Sequence, residues 1–456
     1  MRRVVKVSRI RIIITIIVVV LTTLLTGCTG KEPNEIAYVV ALGIDSTDDD
    51  NYKITIQYAN TTQISGGASE SGGKAGSEIV DNVTIEAPNI YAGVGLANNI
   101  VSKSFSMSHA KLIVFSKEIA EKGVKDMIET LVRSEEIRPD VFIAVANTTA
   151  NDYLTSVNPE MEVNPAQYYQ LIYQKNQLVG IPDGQLREFF TGLYTDNYDS
   201  ILPVAGVIDG SGGNSQNDDK GQSKDSQNEG SESSSESLDS FESKSSNEKD
   251  ENEKEKDAEK NTSKYEYDIK NYIGGETTIE KKNKAEAIGA AVFEKDKMVG
   301  ELGEVETEIC KMLKGDYTYS YLTYYNNDTP DIPITVKTTQ QKKPKYKIDT
   351  DKKTIDIELY IESDLYSLPA DYNVENKIED FERDVANYTS SACTEFINNF
   401  TKKYNSDILK LNEKVKYKFL TNNQYNWFKK NVGWSEYKFS VCTNFKVRRT
   451  GLIVRE

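Results

Sequence analysis

The chain has 456 residues, with 55 Lys and Arg against 71 Asp and Glu, a formal charge of −16 and one histidine. So acidic a surface repels phosphate backbones, which argues against nucleic acid as a partner and against electrostatic adhesion to anionic lipid. Besides Cys28 there are Cys310, Cys393 and Cys442, whose spacing fits neither a disulfide framework nor a zinc site and which read as small buried hydrophobes.

Arg2, Arg3, Lys6, Arg9 and Arg11 open the chain without an acid among them, and residues 12–25 are an almost unbroken run of Ile, Val, Leu and Thr. At about 14 residues this run has the length of a signal-peptide apolar region and is short for a bilayer span. It ends in Leu25-Thr26-Gly27-Cys28, which resembles the bacterial lipobox, where the cysteine is acylated and becomes the mature N-terminus. Residues 1–27 are therefore expected to be a lipoprotein signal peptide and Cys28 the lipidation site. The alternative is an uncleaved N-terminal helix with an incidental cysteine. One acyl chain binds a membrane only marginally, so firm anchoring calls for further chains or a membrane partner.

A first body is expected over 28–206. Residues 36–45 and 52–59 read as strands joined by an acidic turn, 63–78 as a Gly/Ser-rich loop, and Val83 and Ile85 as a short strand. Pro88 starts a helix to about Val101 with Ile90, Val94, Ala97 and Val101 on one side. Then come a buried strand at 110–115, a helix at 117–133 with Ile119, Val124, Ile128 and Leu131 inward, a strand at 141–146, and a helix opening at Thr148 or Thr149. This rhythm indicates an α/β layer with a partly parallel sheet. Helical stretches at 165–177 and 185–194 close the body.

Residues 207–264 form an acidic linker rich in Ser, Asn, Asp, Glu and Lys, with Leu238 and Phe241 its large apolar side chains from 209 onward. Such a composition buries too little apolar surface to offset ordering entropy, and disorder is expected. A second body, 265–456, opens with a hairpin of 287–293 and 297–302 and a helix at 304–313. Strands follow at 331–338, 345–348 and 353–363. A long helix over about 374–404 carries Ile378, Phe381, Val385, Tyr388, Ala392, Phe396 and Phe400 at helical spacing. A last strand, 437–449, places Phe439, Val441, Phe445 and Val447 on one face. Trp427 and Trp434 read as core anchors, with a ligand-binding aromatic pair as the alternative.

Several segments together resemble one family. They are Ile36-Ala-Tyr-Val-Val-Ala-Leu-Gly-Ile-Asp45, Ser108-His109-Ala-Lys111-Leu-Ile-Val-Phe115, Glu118-Ile-Ala-Glu-Lys-Gly123 and Val132-Arg133-Ser-Glu-Glu-Ile-Arg138-Pro-Asp140. In the second body they are Gly289-Ala-Ala-Val-Phe293, Val299-Gly300-Glu301-Leu302, Gly433-Trp434-Ser-Glu436 and Val447-Arg448-Arg449-Thr450-Gly451. In this order after a lipobox they resemble the spore germination protein C (Ger(x)C) family of lipoproteins. An Arg expected shortly before the histidine is absent, and Lys103 stands nearest its place. The resemblance implies several α/β domains without recognised catalytic residues. It also implies the lipoprotein C subunit of GerA-type nutrient germinant receptors, partnered by integral-membrane A and B subunits in the inner membrane of dormant spores, where germinant recognition is ascribed to the membrane subunits.

The expected fold class is α/β (α+β), a multi-domain lipoprotein with mixed sheets covered by helices and interrupted by the linker. No phosphate-cradling loop, metal-spaced cluster or activated nucleophile is legible, so neither a cofactor nor an enzymatic role is expected. His109, before a buried strand, reads as a hydrogen-bonded strand-end residue rather than a pH-sensitive or ligand-contacting group. The expected function is assembly or coupling within the receptor, on the outer face of the cytoplasmic membrane. The alternative is a membrane-tethered solute-binding or cell-wall-associated lipoprotein.

Overall fold

The computed structural model describes residues 13–18, 35–49, 51–59, 80–158, 164–174, 180–195, 197–208, 271–277, 283–326, 329–367, 377–404 and 406–450. Cys28, the Gly/Ser-rich stretch 63–78 and nearly all of 207–264 lie outside them. Among the described residues no helix is long and apolar enough to cross a membrane.

The first sheet opens with β1 (Ile36–Ser46), β2 (Tyr52–Ala59) and β3 (Val80–Ala87), all antiparallel. Helix α1 (Ile90–Ala97) is shorter than the apolar spacing predicts, but Ile90, Val94 and Ala97 are buried. A short β4 (Ser104–Ser106), not anticipated from sequence, pairs with the start of β1. β5 (Leu112–Ser116) follows. The single helix expected over 117–133 is two, α2 (Lys117–Lys122) and α3 (Lys125–Val132). Gly123 breaks it with φ of 123°, and a Cβ there would come within 2.7 Å of Asp296 Oδ2.

β6 (Phe142–Ala146) leads to α4 (Ala150–Ser156), whose first N–H groups, of Ala150 and Asn151, donate to the Asp45 carboxylate at 2.6 and 3.0 Å. The Asp that ends the Ile36–Asp45 motif thus caps a helix over 100 residues away. α5 (Pro165–Tyr173) and α6 (Leu186–Thr195) precede β7 (Ile201–Val207). Beyond the linker, β8 (Ala285–Glu294) and β9 (Lys297–Leu302) form the expected hairpin, and β8 pairs antiparallel with β7. The order is β3-β2-β1-β5-β6-β7-β8-β9, with β1, β5, β6 and β7 parallel.

Helices cover both faces of this sheet, so its central strands are apolar on both sides. Ile113 and Phe115 of β5 and Ile143 and Val145 of β6 join the core under α1, α2, α3 and α6. Leu112, Val114 and Ala144 face the other way, onto Tyr153, Tyr169 and Tyr173 of α4 and α5.

After α7 (Glu304–Lys314), β10 (Tyr319–Asn326), β11 (Thr329–Gln340), β12 (Lys345–Asp349) and β13 (Thr354–Ser367) form the second sheet. β11 and β12 share one edge of β13, β11 taking residues 361–367 and β12 residues 354–358. Helix α8 (Ile378–Lys403) buries Phe381, Val385, Tyr388, Phe396 and Phe400 as expected. Then α9 (Leu411–Val415) and α10 (Asn422–Asn431) lead to β14 (Lys438–Arg449), which runs parallel to β13 along its other edge.

β14 is an edge strand, and α8 covers that edge. Ser390, Thr394 and Asn398, spaced four apart and hence on one stripe, accept from the N–H groups of Thr443, Val441 and Phe439 at 2.9, 3.0 and 3.2 Å. Asn398 also donates to the Phe439 carbonyl at 3.0 Å, and Glu382 accepts from the Val447 N–H at 2.8 Å. The edge N–H groups of Phe439, Val441, Thr443 and Val447, which could recruit a foreign strand, are in this way satisfied within the molecule.

The two sheets share a core. Ala291 and Phe293 of β8 point into the first, while Ala290 and Val292, with Ile201 and Leu302, pack with α8, Ile355, Ile357 and Phe439. The described residues on either side of the linker belong to one compact unit.

Candidate functional site

The richest polar geometry lies where residues 407–434 meet the segment before β7 and the β8–β9 turn. Asp199 accepts from the Lys295 N–H with Oδ1 and from the Asp407 N–H with Oδ2, both at 2.8 Å. Asp407 in turn accepts from the N–H groups of Leu411 and Asn412 at 2.7 and 2.8 Å, starting α9. Two carboxylates thereby staple three segments that are distant in sequence. Burial raises both pKa values against these donors, and Asp407 is pushed up to about 7 with the neighbouring Asp199 charge adding to the rise.

Lysines extend the joint. Lys410, in the left-handed region at φ of 57°, reaches Glu188 at 3.2 Å and lies 4.0 Å from the centre of the Tyr198 ring. Burial lowers the Lys414 pKa, and its ammonium donates to the Leu409 carbonyl at 2.5 Å. Lys429 donates to the Thr195 carbonyl and to Asn197 Oδ1, each at 3.2 Å, fastening α10 to the residues just ahead of β7.

Between these groups is a cleft of about 490 Å³ lined by Asp199, Asp407, Asn412, Lys430 and Trp434 among others. Asn412 Oδ1 and Trp434 Nε1 are buried there without a hydrogen-bond partner among the described residues. All four carboxylate oxygens accept from backbone donors, so the two acids staple these segments together. Among the described residues no three His, Cys, Asp or Glu side chains converge to hold a metal ion.

The outer side of the same corner has the opposite character. Tyr417, Leu420 and Trp427 are 77, 94 and 69 % exposed, and Lys416, Lys418 and Lys430, close to them in the chain, are exposed as well. From 408 to 434 there are six lysines and one acid, Glu413, in a chain whose acids otherwise predominate.

The residues singled out from sequence are scattered. His109 is exposed at the strand end, 3.0 Å from Ser108 Oγ and edge-on to the Tyr38 ring at 4.8 Å between centroids. Trp434 is a core anchor between Phe428 and Tyr437, whereas Trp427 is exposed, because its position on α10 points away from the Tyr425–Phe428 side that packs inward. Cys310 and Cys393 are buried with thiols pushed up to about 12 by burial. Cys442 is exposed, on the solvent side of β14, contrary to its reading as a buried hydrophobe. Lys103 is half-buried just before β4. Asp199 and Asp407 carry no local signal in the sequence; the lysines around Tyr417 do, in the reversal of charge balance.

Residues 30–207 match the family model described as spore germination protein N-terminal domain, and residues 288–451 match the one described as spore germination B3/GerAC-like, C-terminal. Among curated proteins, spore germination protein KC of Bacillus subtilis is 26 % identical over 174 residues, covering 35 % of this chain and 42 % of that protein. Spore germination protein B3 of the same organism is 26 % identical over 148 residues, covering 30 and 36 %. The matched stretches thus span less than half the length of these relatives. The crystal structure of the GerBC protein aligns with a TM-score of 0.47 at 14 % identity, covering 89 % of this chain and 96 % of that one. With family models matching both sides of the linker, over most of its length, the chain belongs to the spore germination protein C (Ger(x)C) family.

Proposed function

We propose that this chain is the lipid-anchored C subunit of a nutrient germinant receptor, acting in spore germination by assembly with, or coupling to, integral-membrane A and B subunits. It is tethered through Cys28 on the outer face of the cytoplasmic membrane, which becomes the inner membrane of the spore. The observation that carries this reading is that both family models match, with the first beginning two residues after Cys28. The structure offers extensive protein surface, and no catalytic role is proposed. A solute-binding lipoprotein would need several free polar groups converging on a ligand; the carboxylates of the corner cleft are already engaged, which leaves Asn412 Oδ1 and Trp434 Nε1 as its buried unpartnered atoms among the described residues.

The test is Cys28→Ala in spores. Labelled palmitate should enter the wild type and not the variant, the variant should leave the membrane fraction, and the A and B subunits should co-purify with the wild type alone. Equal labelling of the two would remove the anchor from this reading. Labelled, membrane-bound protein that never co-purifies with those subunits would remove the receptor.

A further inference from the structure

We propose that the corner formed by α9, α10 and the loop between them is a docking surface for an anionic lipid bilayer. Three observations carry it. Tyr417, Leu420 and Trp427 are large apolar side chains left in water, Leu420 almost wholly so. Aromatic rings with a polar edge suit the headgroup region, and a protruding Leu suits the acyl boundary beneath it.

Second, exposed Lys416 and Lys418 flank Tyr417 in the chain, and exposed Lys430 stands one helical turn from Trp427 on α10; Lys418 also donates to the Ile348 carbonyl, and Lys430 borders the cleft that holds Asp199, Glu294 and Asp407. Glu413 is on the same corner, and Asp349, at the β12–β13 turn, has its pKa lowered first by the Lys352 N–H and last by the charge of Lys418. The net charge of −16 hides this local reversal, so the averaged acidity of the chain does not describe its surface here.

Third, the topology points the corner toward the proposed anchor; this step rests on the Cys28 reading. Lys429 ties α10 to residues 195 and 197, just before β7. Parallel β1, β5, β6 and β7 all start at that end of the sheet, and β1 begins at Ile36, eight residues after Cys28. Eight residues span at most about 27 Å, and β1 and β7 are three strand spacings or about 14 Å apart. Chain entry and corner can therefore meet one bilayer. An apolar–basic surface of this kind fits lipid better than the chain's own acidic segment, which offers few apolar side chains to cover Leu420 and Trp427.

The chain's two tryptophans provide the probe, since Trp434 is buried and Trp427 is not. Full-length protein carrying Cys28→Ala, so that no acyl group contributes, is mixed with vesicles of phosphatidylglycerol and dibrominated phosphatidylcholine, or of the latter alone. The expected result is a blue shift and quenching of Trp427 emission that needs phosphatidylglycerol and weakens in high salt. It should fall several-fold in Leu420→Ser and in the combined variant Lys416→Glu, Lys418→Glu, Lys430→Glu. Trp427→Phe should abolish it, and unchanged unfolding midpoints should show that these variants are folded. Emission indifferent to phosphatidylglycerol, or quenching that persists in Trp427→Phe, would overturn the proposal. So would Trp427 shielded from iodide without vesicles and released by shortening 211–262, which would make the acidic segment the occupant. Because no acyl group is present, none of these outcomes depends on lipidation.

Discussion

Asp407 accepts two backbone N–H groups and is still pushed up to about 7, because full burial outweighs them. The direction matters for stability. Below about pH 4 the group is protonated in both folded and unfolded chains. Between there and about 7 the folded state holds a proton that the unfolded state has lost, so stability falls as pH rises, by at most about 1.4 kcal/mol per pH unit. Above that window the contribution is constant. Asp407→Asn removes the titration while Asp199 and Lys414 keep theirs. The stability difference between wild type and Asp407→Asn, from urea midpoints, should therefore shrink with rising pH across this window. A flat difference would mean that the folded carboxylate is charged throughout. Nothing local in the sequence marks this residue, since its partner Asp199 lies 208 positions away. Asp45 was legible as a strand end but not as the cap of α4, for the same reason.

At the scale of elements, α8 shows what periodicity reveals and what it conceals. Its apolar stripe was legible from spacing alone, and Phe381, Val385, Tyr388, Phe396 and Phe400 on it are buried, with Ile378 and Ala392 half-buried. The neighbouring stripe of Ser390, Thr394 and Asn398 looks like any polar face until β14 lies beside it. Asn398→Ala removes an acceptor and a donor at Phe439 and should cost about 1–3 kcal/mol. Lys402→Ala, on the exposed side, should cost little, and denaturant unfolding of the two variants decides between them. Equal stabilities would show that water replaces the Asn398 contacts freely. Asn398→Ala should also aggregate sooner, because an uncovered strand edge is a template for pairing. Other elements were missed for local reasons. β7 contains Pro203, which signals a strand's end; here it sits ahead of the β6 ladder, which engages only Val204 and Ala205. β10 carries Tyr and Thr at strand-forming density, a signal present but not read.

At the scale of the molecule, β8 is the hinge of the architecture, with Ala291 and Phe293 in one core and Ala290 and Val292 in the other. Hydrogen bonds from Lys295 and Asp407 to Asp199 reinforce that union. Replacing part of 211–262 with a protease recognition sequence and cutting there should therefore leave two fragments that elute as one particle. Their unfolding should remain a single transition, since neither fragment holds a complete core. Fragments that separate on a sizing column would mean that the shared core is too weak to hold them. The helices and hairpins on either side of the linker were legible from local pattern. Their fusion was not, because it is written in pairings such as Val207 with Ala285 that no window of sequence contains.

That pairing also sets a clock on biosynthesis. In a chain exported N-terminus first as it is made, Val207 emerges with the β8 edge of β7 still without a neighbour and its partner about 80 residues behind. At about 5–20 residues per second the wait is roughly 4–16 seconds, during which an apolar edge stands bare. Much of the delay is spent making a stretch too polar to stick to that edge. An apolar insertion of the same length would offer that unfinished sheet a competing partner before β8 arrived.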